Sequence, residues 1–90
     1  MNLTAQQREV FRIDLLRVLE GNSTLFGSGA GPMAGHMRLY GFDPSPSEVL
    51  LEILYLVDKG LVAPVDKSIS PENRTWRLTA AGRDYLANHG

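Results

Sequence analysis

Ninety residues carry nine Lys or Arg against ten Asp or Glu, a formal charge of −1, with 43% hydrophobic residues and no cysteine. This balance excludes a disordered chain, a disulfide framework and a cysteine-built metal site. Two histidines, His36 and His89, are too few for a histidine-built metal site, so neither metal nor cofactor is expected.

The length predicts one domain, residues 1–90, with a small core. No secretory segment and no run of ~18 apolar residues occurs, so the expectation is a soluble cytoplasmic chain with no membrane partner. The charge is unevenly spread. Residues 1–42 carry four basic and three acidic side chains, residues 43–66 one basic and five acidic, and residues 67–90 four basic and two acidic.

In chain order, Thr4 is placed to cap a first helix, with Gln7 three residues on as its capping-box partner. That helix runs to about Leu19 or Glu20, and Gly21-Asn22 ends it. Val10, Phe11, Leu15, Val18 and Leu19 recur at helical spacing and are expected to face the core. Arg8, Arg12 and Arg17 are expected in solvent, paired locally with Glu9 or Asp14. Asn22 to Gly31 is a connector in which Thr24-Leu25-Phe26 could form a very short strand. Its glycines, from Gly27 to Gly31, do not form a phosphate loop: they follow a helix, not a strand, and no Gly-Lys-Ser/Thr comes after.

Pro32 to Tyr40 reads as a short helix carrying Met33, Met37, Leu39 and Tyr40. Gly35 within it would permit close approach of another helix. Gly41 stops it, and Phe42-Asp43-Pro44 makes a turn. Ser45 is then an N-cap, Pro46 a first-turn proline, and Glu48 the capping-box acid. The helix they start runs to Gly60, a left-handed stop. At about 100° per residue Val49, Leu50, Ile53, Leu56 and Val57 share an inward stripe. Glu48, Leu51, Tyr55 and Asp58 point the other way, flanked by Leu54, Glu52 and Lys59.

Leu61 to Val65 reads as a short strand that Pro64 confines to an edge or an end. Residues 67–74 are polar and turn-rich, and Thr75-Trp76-Arg77-Leu78 alternates as the returning strand of a hairpin. Thr79 caps a final helix, Ala80 to about Asn88, with Ala81, Tyr85 and Leu86 inward and Arg83 and Asp84 outward. Trp76 is expected over the core, His36 in a surface or helix-packing role, and His89 in a frayed end. The fold class is therefore α+β: a three-helix helix-turn-helix core, a β-hairpin wing and a closing helix.

Two segments carry a family resemblance. Ile53-x-x-Leu56-x-x-x-Gly60-Leu61-Val62 and Trp76-Arg77-Leu78-Thr79-Ala80-Ala81-Gly82-Arg83-Asp84-Tyr85-Leu86 resemble winged-helix regulators of the multiple-antibiotic-resistance and phenolic-acid repressor kinds. Residues 32–86 together resemble small winged-helix proteins carried by Mu-like phages. The resemblance implies a DNA-binding, transcription-regulating homodimer whose third helix enters the major groove through Ser47, Glu48, Leu51, Glu52 and Tyr55. Its wing would touch DNA through Lys67, Ser68, Asn73, Arg74 and Arg77.

The residues themselves divide two readings. Phosphates repel Glu48, Glu52 and Asp58, and Leu51, Leu54 and Tyr55 gain more on burial against protein than in a groove. One expectation is a small winged-helix regulator that contacts double-stranded DNA mainly through the wing, by Lys67, Ser68, Asn73, Arg74 and Arg77, with Ser47 from the helix. The alternative is a winged-helix protein–protein interaction module that docks through Glu48, Leu51, Leu54 and Tyr55 on a second copy or another protein. Catalysis is not expected, because no Ser or His stands in a nucleophile setting and Glu48 and Glu52 lie on a convex helix. No small-molecule substrate is expected either.

Overall fold

A computed structural model describes residues 2–21, 28–65 and 75–89 of the chain. The elements are α1 (Ala5–Gly21), β1 (Ser28–Gly29), α2 (Ala30–Arg38), α3 (Pro46–Asp58), β2 (Val62–Pro64), β3 (Thr75–Leu78) and α4 (Ala80–His89). Together they make an α+β fold of helices around a three-stranded antiparallel sheet of order β1-β3-β2. The expected strand at residues 24–26 and the tip of the hairpin at residues 67–74 lie outside the described residues.

α1 begins with the expected capping box. Gln7 N–H donates to Thr4 Oγ1 at 3.1 Å, and Thr4 N–H donates to Gln7 Oε1 at 2.9 Å. Phe11, Leu15, Leu16, Val18 and Leu19 are buried. Val10, expected with them, is exposed. It lies about 100° around the helix from Phe11, on the side away from Leu15 and Leu19.

α2 and α3 stop by the same device. Gly41 (φ 91°) and Gly60 (φ 77°) take left-handed conformations. After α2, Gly41 N–H donates to the Arg38 carbonyl and Phe42 N–H to the Met37 carbonyl, both at 3.2 Å. After α3, Gly60 N–H donates to Val57 at 2.9 Å and Leu61 N–H to Leu56 at 3.0 Å. Each pair of bonds satisfies carbonyls the helix leaves orphaned and turns the chain sharply, as a Schellman motif does. Phe42, delivered by the first turn, meets the Phe11 ring edge-on at 5.0 Å and fixes the α2–α3 corner onto α1.

Two details of α2 differ from the sequence expectation. It starts at Ala30, with Gly29 as N-cap, and ends at Arg38, leaving Leu39 and Tyr40 in the turn and exposed. Pro32 still sits in the first turn, where its missing N–H breaks no helical bond. Gly35 faces solvent and nothing lies within 4 Å of a Cβ built there, so it mediates no helix approach.

β3 is the centre of the sheet. Trp76 and Leu78 are buried and Arg77 is exposed, the alternation of a half-buried strand. β2 pairs Val62 with Leu78, Ala63 with Arg77 and Pro64 with Trp76, which puts Pro64 on an edge. On the other side Ser28 pairs with Trp76 and Gly29 with Thr75.

Thr79 ties three elements together. Its Oγ1 donates to the Gly60 carbonyl at 2.7 Å and accepts from Gly82 N–H at 3.0 Å, while its own N–H donates to Leu61 at 3.1 Å. Gly82 is buried where α4 crosses this corner. A Cβ there would collide with the Leu61 carbonyl and come 2.6 Å from Leu78 Cδ1. That close approach explains why Gly82 takes the inward place expected of Ala81, which is exposed. His89 is not frayed: its ring stacks on Tyr85 at 4.0 Å and its Nδ1 lies 2.9 Å from the Tyr85 carbonyl.

Gly82→Ala forces backbone and a core leucine apart. It should lower unfolding free energy by about 2–3 kcal/mol in urea titration. Thr79→Val, which removes the hydroxyl but keeps the shape, should cost about 1–2 kcal/mol. Unchanged stability in both variants would contradict the corner as drawn.

Candidate functional site

α3 is fixed at both ends before its faces matter. Ser45 Oγ accepts from Glu48 N–H at 3.2 Å, and Glu48 Oε1 accepts from Ser45 N–H at 3.0 Å. Pro46 occupies the first turn, and the Gly60 turn closes the far end. Val49, Ile53 and Leu56 are buried, and Val57 is half-buried.

Leu50, expected in that buried stripe, is on the surface. It stands at the edge of the stripe, farther round the helix than Val49 and Ile53. With it, the apolar side chains open to water on α3 become Leu51 (68% exposed), Leu54 (46%), Tyr55 (39%) and Leu50 (36%). Ser47 and Asp58 lie at the two ends of this strip, and both are exposed.

One edge of the strip is built by α1. Arg12 Nε donates to Glu52 Oε2 at 2.7 Å, with the two side chains only 21% and 17% exposed. The Arg12 guanidinium lies 3.8 Å from the centre of the Tyr55 ring. Arg8 Nε stands 3.9 Å from the other Glu52 oxygen. Lys59 Nζ is 5.6 Å from the same Tyr55 ring. Arg12 was expected to be solvated and paired within α1; instead it reaches forty positions along the chain. The reason is electrostatic and apolar together: Glu52 supplies the counter-charge and Tyr55 a face that accepts a flat cation.

This arrangement orients Tyr55. Beside it a cleft of about 340 Å³ runs between α1, α3 and the middle of α4, lined by Arg12, Tyr55, Leu56, Leu61 and Tyr85. A smaller cleft of about 160 Å³ lies by Leu3, Arg8 and Leu51.

Of the residues proposed for DNA contact, Ser47 is exposed in the first turn of α3 and Arg77 is exposed on β3. Lys67, Ser68, Asn73 and Arg74 lie outside the described residues. The residues proposed for protein contact come together: Leu51, Leu54 and Tyr55 form one strip, and Glu48 stands at its N-terminal end in the capping box. Sequence reasoning missed Arg12 and Leu50. Nothing local marks Arg12 as a partner of α3, whereas Leu50 could have been found from its place at the stripe's edge.

No helix among the described residues is long and apolar enough to cross a membrane. Comparison with protein-family models, with curated proteins and with solved structures finds no match for this chain.

The Arg12–Tyr55 stack makes a measurable prediction. A double-mutant cycle of Arg12→Ala and Tyr55→Leu, followed by urea unfolding, should give a coupling of about 1 kcal/mol. Strictly additive losses would mean the two side chains are merely adjacent.

Proposed function

We propose that this chain is a winged-helix domain that uses the outward face of α3 to dock on protein. The observation that carries the docking reading is the strip Leu50, Leu51, Leu54 and Tyr55, left open to water on a helix rigidly capped at both ends. The winged-helix reading is supported by topology. A strand between the first two helices pairs with the second strand of a hairpin that follows the third helix, in the order β1-β3-β2.

Charge separates docking on protein from docking on DNA. The exposed strip is bordered by Glu48 and Asp58, and its nearest guanidinium, Arg12, is already bound to Glu52. A groove-reading helix needs a positive surround, because phosphate contacts supply most of the affinity. Apolar side chains gain by leaving water, about 1.5–3 kcal/mol for each fully buried leucine. The face is built for the second kind of gain.

A second reading keeps the fold and changes the partner: a DNA-associated regulator that touches the duplex through the wing. The exposed Arg77 on β3 favours it. Lys67, Ser68, Asn73 and Arg74 would extend that contact, with Ser47 from α3.

Two measurements decide between them. Anisotropy of a labelled duplex should show no salt-steep binding between about 50 and 200 mM salt, where each phosphate contact would contribute roughly 0.9 to the slope of log K. Leu51→Asp with Leu54→Asp should leave thermal stability within about 0.5 kcal/mol per site, since both positions are already wet, and should remove association with protein. Steep salt dependence that Arg77→Ala flattens would overturn the docking reading in favour of the DNA one.

A further inference from the structure

The four exposed apolar residues of α3 are symmetrically spaced. Leu50 and Leu51 stand directly before residues 52 and 53, and Leu54 and Tyr55 directly after them. Exposed Ser47 and Asp58 flank them at equal distances, and Pro46 and Lys59 lie one position beyond on either side. Such spacing has a physical meaning. When two identical helices pack antiparallel about a two-fold axis, positions equidistant from the axis face each other across it, because a two-fold interface is self-complementary.

We infer that the occupant of this face is a second copy of the same chain, with α3 packed antiparallel on α3 about an axis between residues 52 and 53. This rests on the docking reading and names its partner.

The pairing sets Leu51 of one copy beside Leu54 of the other at the centre, with Leu50 and Tyr55 closing the two edges of the contact. The apolar strip is thereby covered by itself, twice over. Asp58 then lies at the N-terminal turn of the facing helix beside Ser47, where the positive helix end and a hydroxyl both receive a carboxylate. Asp58 has no ion pair among the described residues of its own copy. Lys59 comes next to the first turn that holds Glu48, placing a cation beside a carboxylate. A parallel arrangement would instead put Asp58 on Asp58 and Glu48 on Glu48.

Charge at the ends therefore sets the direction, and the apolar centre supplies the attraction. α3 is 13 residues long, about 20 Å at 1.5 Å per residue. One helix of that length covers less than the ~800 Å² per partner of a standard stable interface. The dimer should therefore be weak, with dissociation between about 1 µM and about 1 mM.

Substitution at Ser47 tests the arrangement, because it acts in opposite directions on the monomer and on the dimer. Ser47→Glu adds an acid to the first turn of α3, which favours the helix in the monomer, but sets it against Asp58 of the facing copy. Ser47→Lys does the reverse. Each substitution counts twice in a symmetric pair.

Sedimentation equilibrium should show wild type passing from monomer to dimer as concentration rises toward about 1 mM. Ser47→Glu should weaken the dimer about fivefold or more, and Ser47→Lys should tighten it by a similar factor. Melting temperatures of dilute samples should move the opposite way. Ser47→Glu combined with Asp58→Lys should restore the dimer.

Wild type that stays monomeric at ~1 mM overturns this inference and leaves docking on a different protein standing. A dimer indifferent to Ser47→Glu and Ser47→Lys overturns the antiparallel arrangement.

Discussion

The corner at Gly60 and Leu61 is the constraint on which the rest of the molecule depends. There α3 ends in a left-handed glycine, the chain turns into β2, and Thr79 and Gly82 bring α4 against the same two residues. The Thr79 hydroxyl uses both of its capacities, donating to the end of α3 and accepting from the start of α4. Gly82 allows that approach only because it has no Cβ. Removing either contact loosens β3 and α4 against the end of α3.

A helix held that firmly can present a face that water disfavours. The inward side of α3 is ordinary core: Val49, Ile53 and Leu56 meet the buried residues of α1 and α2. The outward side is shaped by α1. Arg12 pairs with Glu52 and lies flat on Tyr55, so α1 builds one edge of the strip, with Arg8 and Lys59 beside it. What remains open is leucine and tyrosine between polar ends. Such a face gains little from a polyanion and much from another apolar surface. That is the physical basis for the docking proposal.

How far the sequence revealed this depends on the range of the interactions. Both capping boxes were readable because their partners stand three residues apart, Thr4 with Gln7 and Ser45 with Glu48. Gly41, Gly60 and Pro64 were readable because their backbones permit few alternatives. The outward Leu51–Leu54–Tyr55 strip followed from helical spacing alone. Four features did not follow. The two-residue strand Ser28–Gly29 exists only because β3 offers it partners. The Arg12–Glu52 pair spans forty positions, and no local pattern announces it. Val10 and Ala81 turned outward because the buried arc is set by neighbouring elements and not by hydrophobicity. Gly82, which decides how closely α4 can approach, reads in the sequence only as a weak helix former.

The most direct test of α3 as an association face is a dilution series of ¹⁵N–¹H correlation spectra on the wild-type chain. The account predicts that amide shifts of Ser47, Leu51, Leu54 and Asp58 move with protein concentration while those of β3 and α4 stay fixed. Shifts that move along β3 and α4 instead, leaving α3 unchanged, would place association elsewhere and contradict the account.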